Sequence, residues 1–224
     1  MIIDKRKKYY LTIDTETCND MDNPLVYDIG GCVHDVRGNV IETFSFVIYD
    51  TFVLMKDLME SAYYSWKIPM YEEELEAGYR TMVQFSTARR HIVDLCKKYN
   101  ITAIIAHNAS FDYRSCNTTQ RYLTKSRYRY FFPYGIPIWD TLRMAQDTIC
   151  KQKTYIRFCQ ANGYMRNKTT PRATAEILYR YISNDNDFVE AHTGLSDVLI
   201  EKEIFVRCKR QHKKMRVSPW GKKK

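Results

Sequence analysis

Apolar and β-forming residues come first in three runs, Tyr9 to Ile13, Val26 to Val33 and Val40 to Ile48, with the turn-prone Asp35-Val36-Arg37-Gly38-Asn39 between the last two. This pattern predicts a hairpin and, with the first run, an antiparallel three-strand start. Residues 51–82 then carry Tyr63, Tyr64, Trp66, Ile68, Pro69 and Tyr71, which read as a short helix, an irregular aromatic segment and more helix. From Val83 to Tyr99 the apolar positions Val83, Phe85, Ile92, Val93, Leu95 and Cys96 alternate with charged ones at helical spacing. Ile101 to Ala106 is short, apolar and β-branched, so a buried strand is expected. A helix from about Ser110, a short strand at Ile136 to Trp139, helices near 140–151, 154–162 and 172–182, and a last helix from Thr193 to about Gln211 complete the pattern. Strands in a hairpin followed by alternating strands and helices predict an α/β fold. Its mixed sheet has five strands, three antiparallel and then two parallel, flanked by helices.

Composition narrows the picture. With 224 residues, 45% of them hydrophobic, the chain can bury one sizeable core, and no repeat or shift in composition divides it. The expected organisation is a basic segment over residues 1–8, one domain over 9–208 and a basic tail over 209–224. Lys and Arg number 35 against 26 Asp and Glu, a formal charge of +9 concentrated at Lys5-Arg6-Lys7-Lys8 and from Lys202 onward. Such an excess suits a polyanionic partner, because cations neutralise phosphates whatever the base sequence; the Lys222 to Lys224 run taken alone reads equally well as a solvated tail. Seven cysteines without a C-x-x-C pair fit buried thiols in a reducing cytoplasm, not a disulfide framework or a zinc site. No run of eighteen apolar residues occurs and the start is charged, so neither membrane spanning nor secretion is expected, and the cytoplasm, or a host's cytoplasm for a phage-borne chain, is the expected location.

Three segments carry candidate chemistry. In Ile13-Asp14-Thr15-Glu16-Thr17, strand alternation puts the Asp14 and Glu16 carboxylates on one face. Like charges so close call for a cation, and hard oxygen donors favour magnesium, manganese or calcium over zinc. In Ala106-His107-Asn108-Ala109-Ser110-Phe111-Asp112 the chain leaves a buried strand and opens a helix, placing Asp112 beyond a strand end where α/β sheets hold ligands. A purely structural reading of the same string makes Asn108 a cap, Phe111 core and Asp112 a complement to the helix dipole. In Glu190-Ala191-His192-Thr193-Gly194-Leu195-Ser196-Asp197, one ideal helix would turn His192 about 140° from Asp197. With Thr193 as the N-cap, His192 instead lies in the loop before the helix and can fold back toward Asp197.

Taken together, these strings resemble, in order and broad spacing, the three exonuclease motifs of the DEDD family in its DEDDh branch, which includes the epsilon-type proofreading subunits. The resemblance spans residues 9 to about 206, and Trp139-Asp140-Thr141-Leu142 is similar to the family's Asp-Thr-Leu segment. Thr193, where the sister branch has tyrosine, indicates the histidine branch. Gly194 departs from the alanine common in relatives, a change expected to have little effect, and segment 63–71 has no recognisable counterpart. The resemblance implies a ribonuclease-H-like fold and a 3′-5′ exonuclease that hydrolyses phosphodiester bonds with two divalent cations, Mg²⁺ or Mn²⁺. It assigns Asp14, Glu16, Asp112 and Asp197 as metal ligands, with Asp14 bridging both ions, and His192 as general base. Substrate contacts are expected from Thr15, Thr17, Asn108 and Phe111, the last either wedging against a base or packing in the core. Tyr64, Trp66 and Tyr71 are an alternative stacking platform. The expected partner is nucleic acid with a free 3′ end, foremost single-stranded DNA, with any polymerase acting in trans. A ribonuclease or oligoribonuclease of the same family, and a binding module without catalysis, are the rival readings.

Overall fold

The computed structural model describes residues 3–4, 6–125 and 129–221; Lys5 and the Lys222 to Lys224 run lie outside them. The chain opens with strands β1 (Tyr9–Cys18), β2 (Leu25–Asp35) and β3 (Val40–Ile48), each antiparallel to the one before. Short helices α1 (Tyr49–Phe52) and α2 (Lys56–Glu60), a 3-10 turn at Ser65–Lys67 and helix α3 (Ile68–Glu76) lead to strand β4 (Thr81–Val83). Helix α4 (Phe85–Lys98), strand β5 (Ala103–Ala106), helix α5 (Ser110–Leu123) and strand β6 (Ile138–Asp140) follow. The chain ends with helices α6 (Thr141–Asp147), α7 (Lys153–Ala161), α8 (Ala175–Ser183) and α9 (Gly194–Lys209).

The strands lie in the order β4-β3-β2-β1-β5-β6. Five of them are the expected ones, with β5 and β6 parallel to β1. The sixth, β4, pairs parallel with β3 at the far edge. Its three residues carry too little alternation to stand out from the helix that follows.

Alternation along β1 decides which helices cover which face. Tyr9, Leu11 and Ile13 point into a core shared with Phe85, Ile92 and Leu95 of α4 and with Cys116 of α5. Tyr10 points the other way, onto Phe205 and Ile204 of α9, Met144 of α6 and Leu178 of α8. Asp14 and Glu16 continue the even-numbered series, so the same alternation aims both at the α9 side, at the carboxyl end of β1. A third cluster, including Tyr27, Val47, Met59 and Tyr71, seats the 49–80 segment against the end of the β2-β3 hairpin.

The tail expected over 209–224 is in large part docked. Lys209 still belongs to α9, the Val217 carbonyl accepts a bond from the Asp140 N–H at 2.8 Å, and Arg216 pairs with Asp147 at 2.8 Å. Met215 and Val217 pack on the α9-side core, and Trp220 meets the Tyr113 ring edge-on. All seven cysteines are unpaired thiols; six are buried and Cys150 is half-buried.

Candidate active site

The site draws on β1, α5 and α9, and its first and last contributions meet where the paired strands β1 and β2 pass the start of α9. Gly30 and Gly194 make that approach possible: a Cβ on Gly194 would lie 2.4 Å from the Gly30 nitrogen, and one on Gly30 would lie 2.0 Å from the Gly194 carbonyl carbon. An alanine at 194 therefore does not fit this backbone without a shift of α9 or β2, so the departure from the alanine of relatives goes with this close approach.

Thr193 is the N-cap residue of α9, and its hydroxyl bonds Ser196 Oγ at 3.0 Å. His192 precedes it with φ of +50°, in the left-handed region that non-glycine residues seldom adopt. This bend folds the imidazole back over the first turn, as the spacing anticipates. A His192 ring nitrogen and carboxylate oxygens of Glu16 and Asp197 all lie within 4.8 Å of one another.

Asp112 occupies the first turn of α5 and is buried. It accepts a 2.8 Å bond from the Thr15 hydroxyl, so that side chain orients a carboxylate and its one hydroxyl proton is already spent. Asn108, at φ +63°, forms the bend between β5 and α5, and its N–H donates to Asp140 at 3.0 Å. Asp140 also caps α6 by accepting from the Leu142 N–H at 2.9 Å, so the Asp-Thr-Leu segment ties this bend to the neighbouring strand. The capping residue of α5 is Ala109, not Asn108.

Asp14, Glu16, Asp112, Asp197 and His192 line one cavity of about 1030 Å³, together with Thr15, Asn108 and Phe111; Thr17 is not among its lining residues. Phe111 belongs to none of the three packed cores. Of the alternative stacking platform only Tyr64 reaches the cavity. Trp66 is 72% exposed, and Tyr71 is core, with its hydroxyl donating to Asp28 at 2.7 Å.

Burial and mutual repulsion push every carboxyl here up. Glu16 reaches about 9 through burial and the charges of Asp197 and Asp28, partly offset by Lys67. Asp197 reaches about 8 through burial and Glu190. Asp112 rises to about 7 by burial, against the Thr15 bond. Asp14 is held well above the carboxylate range by burial and by Glu201, Asp112, Glu16 and Asp197. His192 is pushed down, by burial first and by Lys67 second, which favours the neutral ring. Asp197 Oδ1 is buried without a hydrogen-bond partner. Oxygen donors that repel one another, one of them orphaned, suit divalent cations of the magnesium type.

Several contributors are invisible in the motifs. Asp28, fully buried on β2, accepts from the Gly194 N–H at 3.0 Å and pairs with Arg80 at 3.0 Å, anchoring the start of α9. Lys67, only 3% exposed, donates to the carbonyls of Ala191 and His192, the latter at 2.7 Å. Tyr64 stacks on the His192 ring with centroids 4.9 Å apart. An aromatic-rich sequence was the only hint of this support, and it did not distinguish Tyr64 from its neighbours.

No protein-family model and no curated protein matches the chain. Among solved structures it is similar to Exonuclease I of E. coli in complex with a 5cy-dT13 oligonucleotide, at TM-score 0.53 and 17% identity over 92% of this chain and 41% of that one. Exonuclease I from Methylocaldum szegediense gives the same values, 0.53, 17%, 92% and 41%. A zinc-bound form of the E. coli Exonuclease I complex with single-stranded DNA gives 0.50, 16%, 92% and 41%. The chain thus spans about two fifths of the length of these structures. At such identity the likeness establishes the fold alone: an α/β arrangement with a mixed six-stranded sheet flanked by helices, similar to that part of the Exonuclease I structures.

Proposed function

We propose that this protein is a metal-dependent nuclease that removes nucleotides from the 3′ end of nucleic acid, single-stranded DNA foremost. The observation that carries the proposal is the convergence of Asp14, Glu16, Asp112 and Asp197 with His192 on one cavity of about 1030 Å³. The single-stranded DNA bound by the fold's Exonuclease I neighbours, and the zinc bound by one of them, support the same reading.

In this reading Asp14, Glu16, Asp112 and Asp197 hold two divalent cations, Mg²⁺ or Mn²⁺. Ions held by these residues would supply Lewis-acid chemistry, polarising the phosphate, making an attacking water more acidic and stabilising the leaving 3′ oxygen. His192, kept neutral by its surroundings, accepts the water's proton. Thr15 orients Asp112 through its hydroxyl. Phe111 offers a ring face on which a terminal base can stack without regard to sequence, and the Asn108 bend lies beside it. The surplus of Lys and Arg draws the polyanion in and makes binding salt-dependent.

The test is degradation of a 5′-labelled single-stranded DNA oligonucleotide with Mg²⁺, with Mn²⁺ and with EDTA, beside Asp14→Ala. A metal-dependent ladder shortening from the 3′ end, absent in the variant, is expected. DNA left intact while a matched RNA is degraded would make the protein a ribonuclease of the same type. Both left intact despite tight binding would make it a binding module.

A further inference from the structure

Glu201 lies one helical turn beyond Asp197 on α9 and lines the same cavity as Asp14 and Asp112. Residues four apart share a helix face, so the helix that delivers Asp197 delivers this side chain too. Glu201 is 3% exposed, and its Oε2 is buried without a hydrogen-bond partner. Among the described residues no ion pair is made by Asp14, Asp112 or Glu201. The lysine at the site, Lys67, spends its ammonium on the His192 side, against the Ala191 and His192 carbonyls. In its charged form a third buried carboxylate beside two others, with no protein cation paired to it although Arg166 and Arg172 line the same cavity, is costly unless something positive enters with it.

We infer that Glu201 is a fifth carboxylate of the metal site, serving the ion on the Asp14-Asp112 side so that this ion is held before nucleic acid arrives. The proposal rests on the metal-dependent reading above and adds to its four ligands. Without Glu201, the ion on this side would depend on Asp14 and Asp112 alone and on oxygens brought by the substrate. With it, three carboxylates line this side of the cavity, a donor type that suits Mg²⁺ or Mn²⁺, and an ion there would draw together oxygens that, unlike those at Glu16 and Asp197, do not all stand within 4.8 Å of one another without it. The site is then loaded with both ions in the free protein.

Titration of the free protein with Mn²⁺, followed by calorimetry and by the paramagnetic signal of unbound Mn²⁺, tests this without reference to turnover. Wild type is expected to bind two ions in the absence of nucleic acid. Glu201→Gln, which keeps the shape and removes the charge, should bind one ion as wild type does and the second at least tenfold more weakly. Glu201→Asp, which keeps the charge and loses a methylene, should fall between them. Identical isotherms for wild type and Glu201→Gln, or a wild type that takes up one ion only, overturn the assignment. So does a Glu201→Asp variant weaker than Glu201→Gln, which would mark a packing role. A wild type that binds no Mn²⁺ at all removes the metal-dependent reading itself.

Discussion

His192 shows how much one backbone angle contributes at this site. Its left-handed φ turns the ring back over Glu16 and Asp197, where an ordinary helical residue at that spacing would face away. Replacing it by alanine should leave oligonucleotide binding in place, as read by anisotropy, and lower single-turnover cleavage by about 10²- to 10⁴-fold, the usual contribution of a general base. Cleavage at the wild-type rate would take His192 out of that role. Gly194 matters for a different reason, the close approach of its backbone to Gly30. Gly194→Ala should force α9 away from β2, destabilise the fold by about 1–3 kcal/mol in chemical denaturation and reduce activity with it. A fully stable, active variant would show that the helix start can move at no cost.

At the scale of elements, the site is assembled by α9, β1 and α5, yet the 49–80 segment braces it. That segment supplies Lys67 under the Ala191 and His192 carbonyls, Tyr64 against the imidazole, and Tyr71 on Asp28, which in turn holds the first N–H of α9. Lys67→Met keeps most of the stem and removes the donor. The loop carrying His192 then loses its tether, and kcat should fall by about 10²-fold, the scale of a misplacement near 1 Å, with oligonucleotide affinity little changed. A matched loss of affinity instead would assign Lys67 to the substrate phosphate. The motif strings were legible because each is local: strand alternation aligns Asp14 with Glu16, and the cap at Thr193 releases His192 from the helix. Asp28, Lys67 and Tyr64 were not legible, since each is brought to the site by packing between distant parts of the chain; Glu201 shares a helix face with Asp197 by local spacing, but only the fold shows that this face is buried against Asp14 and Asp112. The aromatic run around residues 63–71 reads the same whether a ring ends in the core, as Tyr71 does, or against the histidine, as Tyr64 does.

For the molecule as a whole, the cluster of raised carboxyls links stability to pH and to metal. Glu16, Asp197 and Asp112 titrate at about 9, 8 and 7 in the folded chain, whereas an unfolded carboxyl titrates near 4. Between these values the folded state binds more protons than the unfolded one, so stability falls as pH rises from about 4 to about 9. The melting temperature in EDTA should therefore be lower at pH 9 than at pH 6, and added Mn²⁺ should restore much of the difference. An equal melting temperature at both pH values, with no response to Mn²⁺, would mean that the carboxyls neither repel one another nor hold ions. Periodicity and turn residues alone determined the hairpin, the order of strands and helices and the three carboxylate-bearing strings, because alternation and capping act over a few residues. Tertiary structure decided the edge strand β4, the docked carboxyl-terminal segment, the need for glycine at 194 and the buried company of Asp28, Lys67 and Glu201. Those features depend on which surfaces meet across the fold, and a burial or a close backbone contact between residues more than a hundred positions apart leaves no local pattern to read.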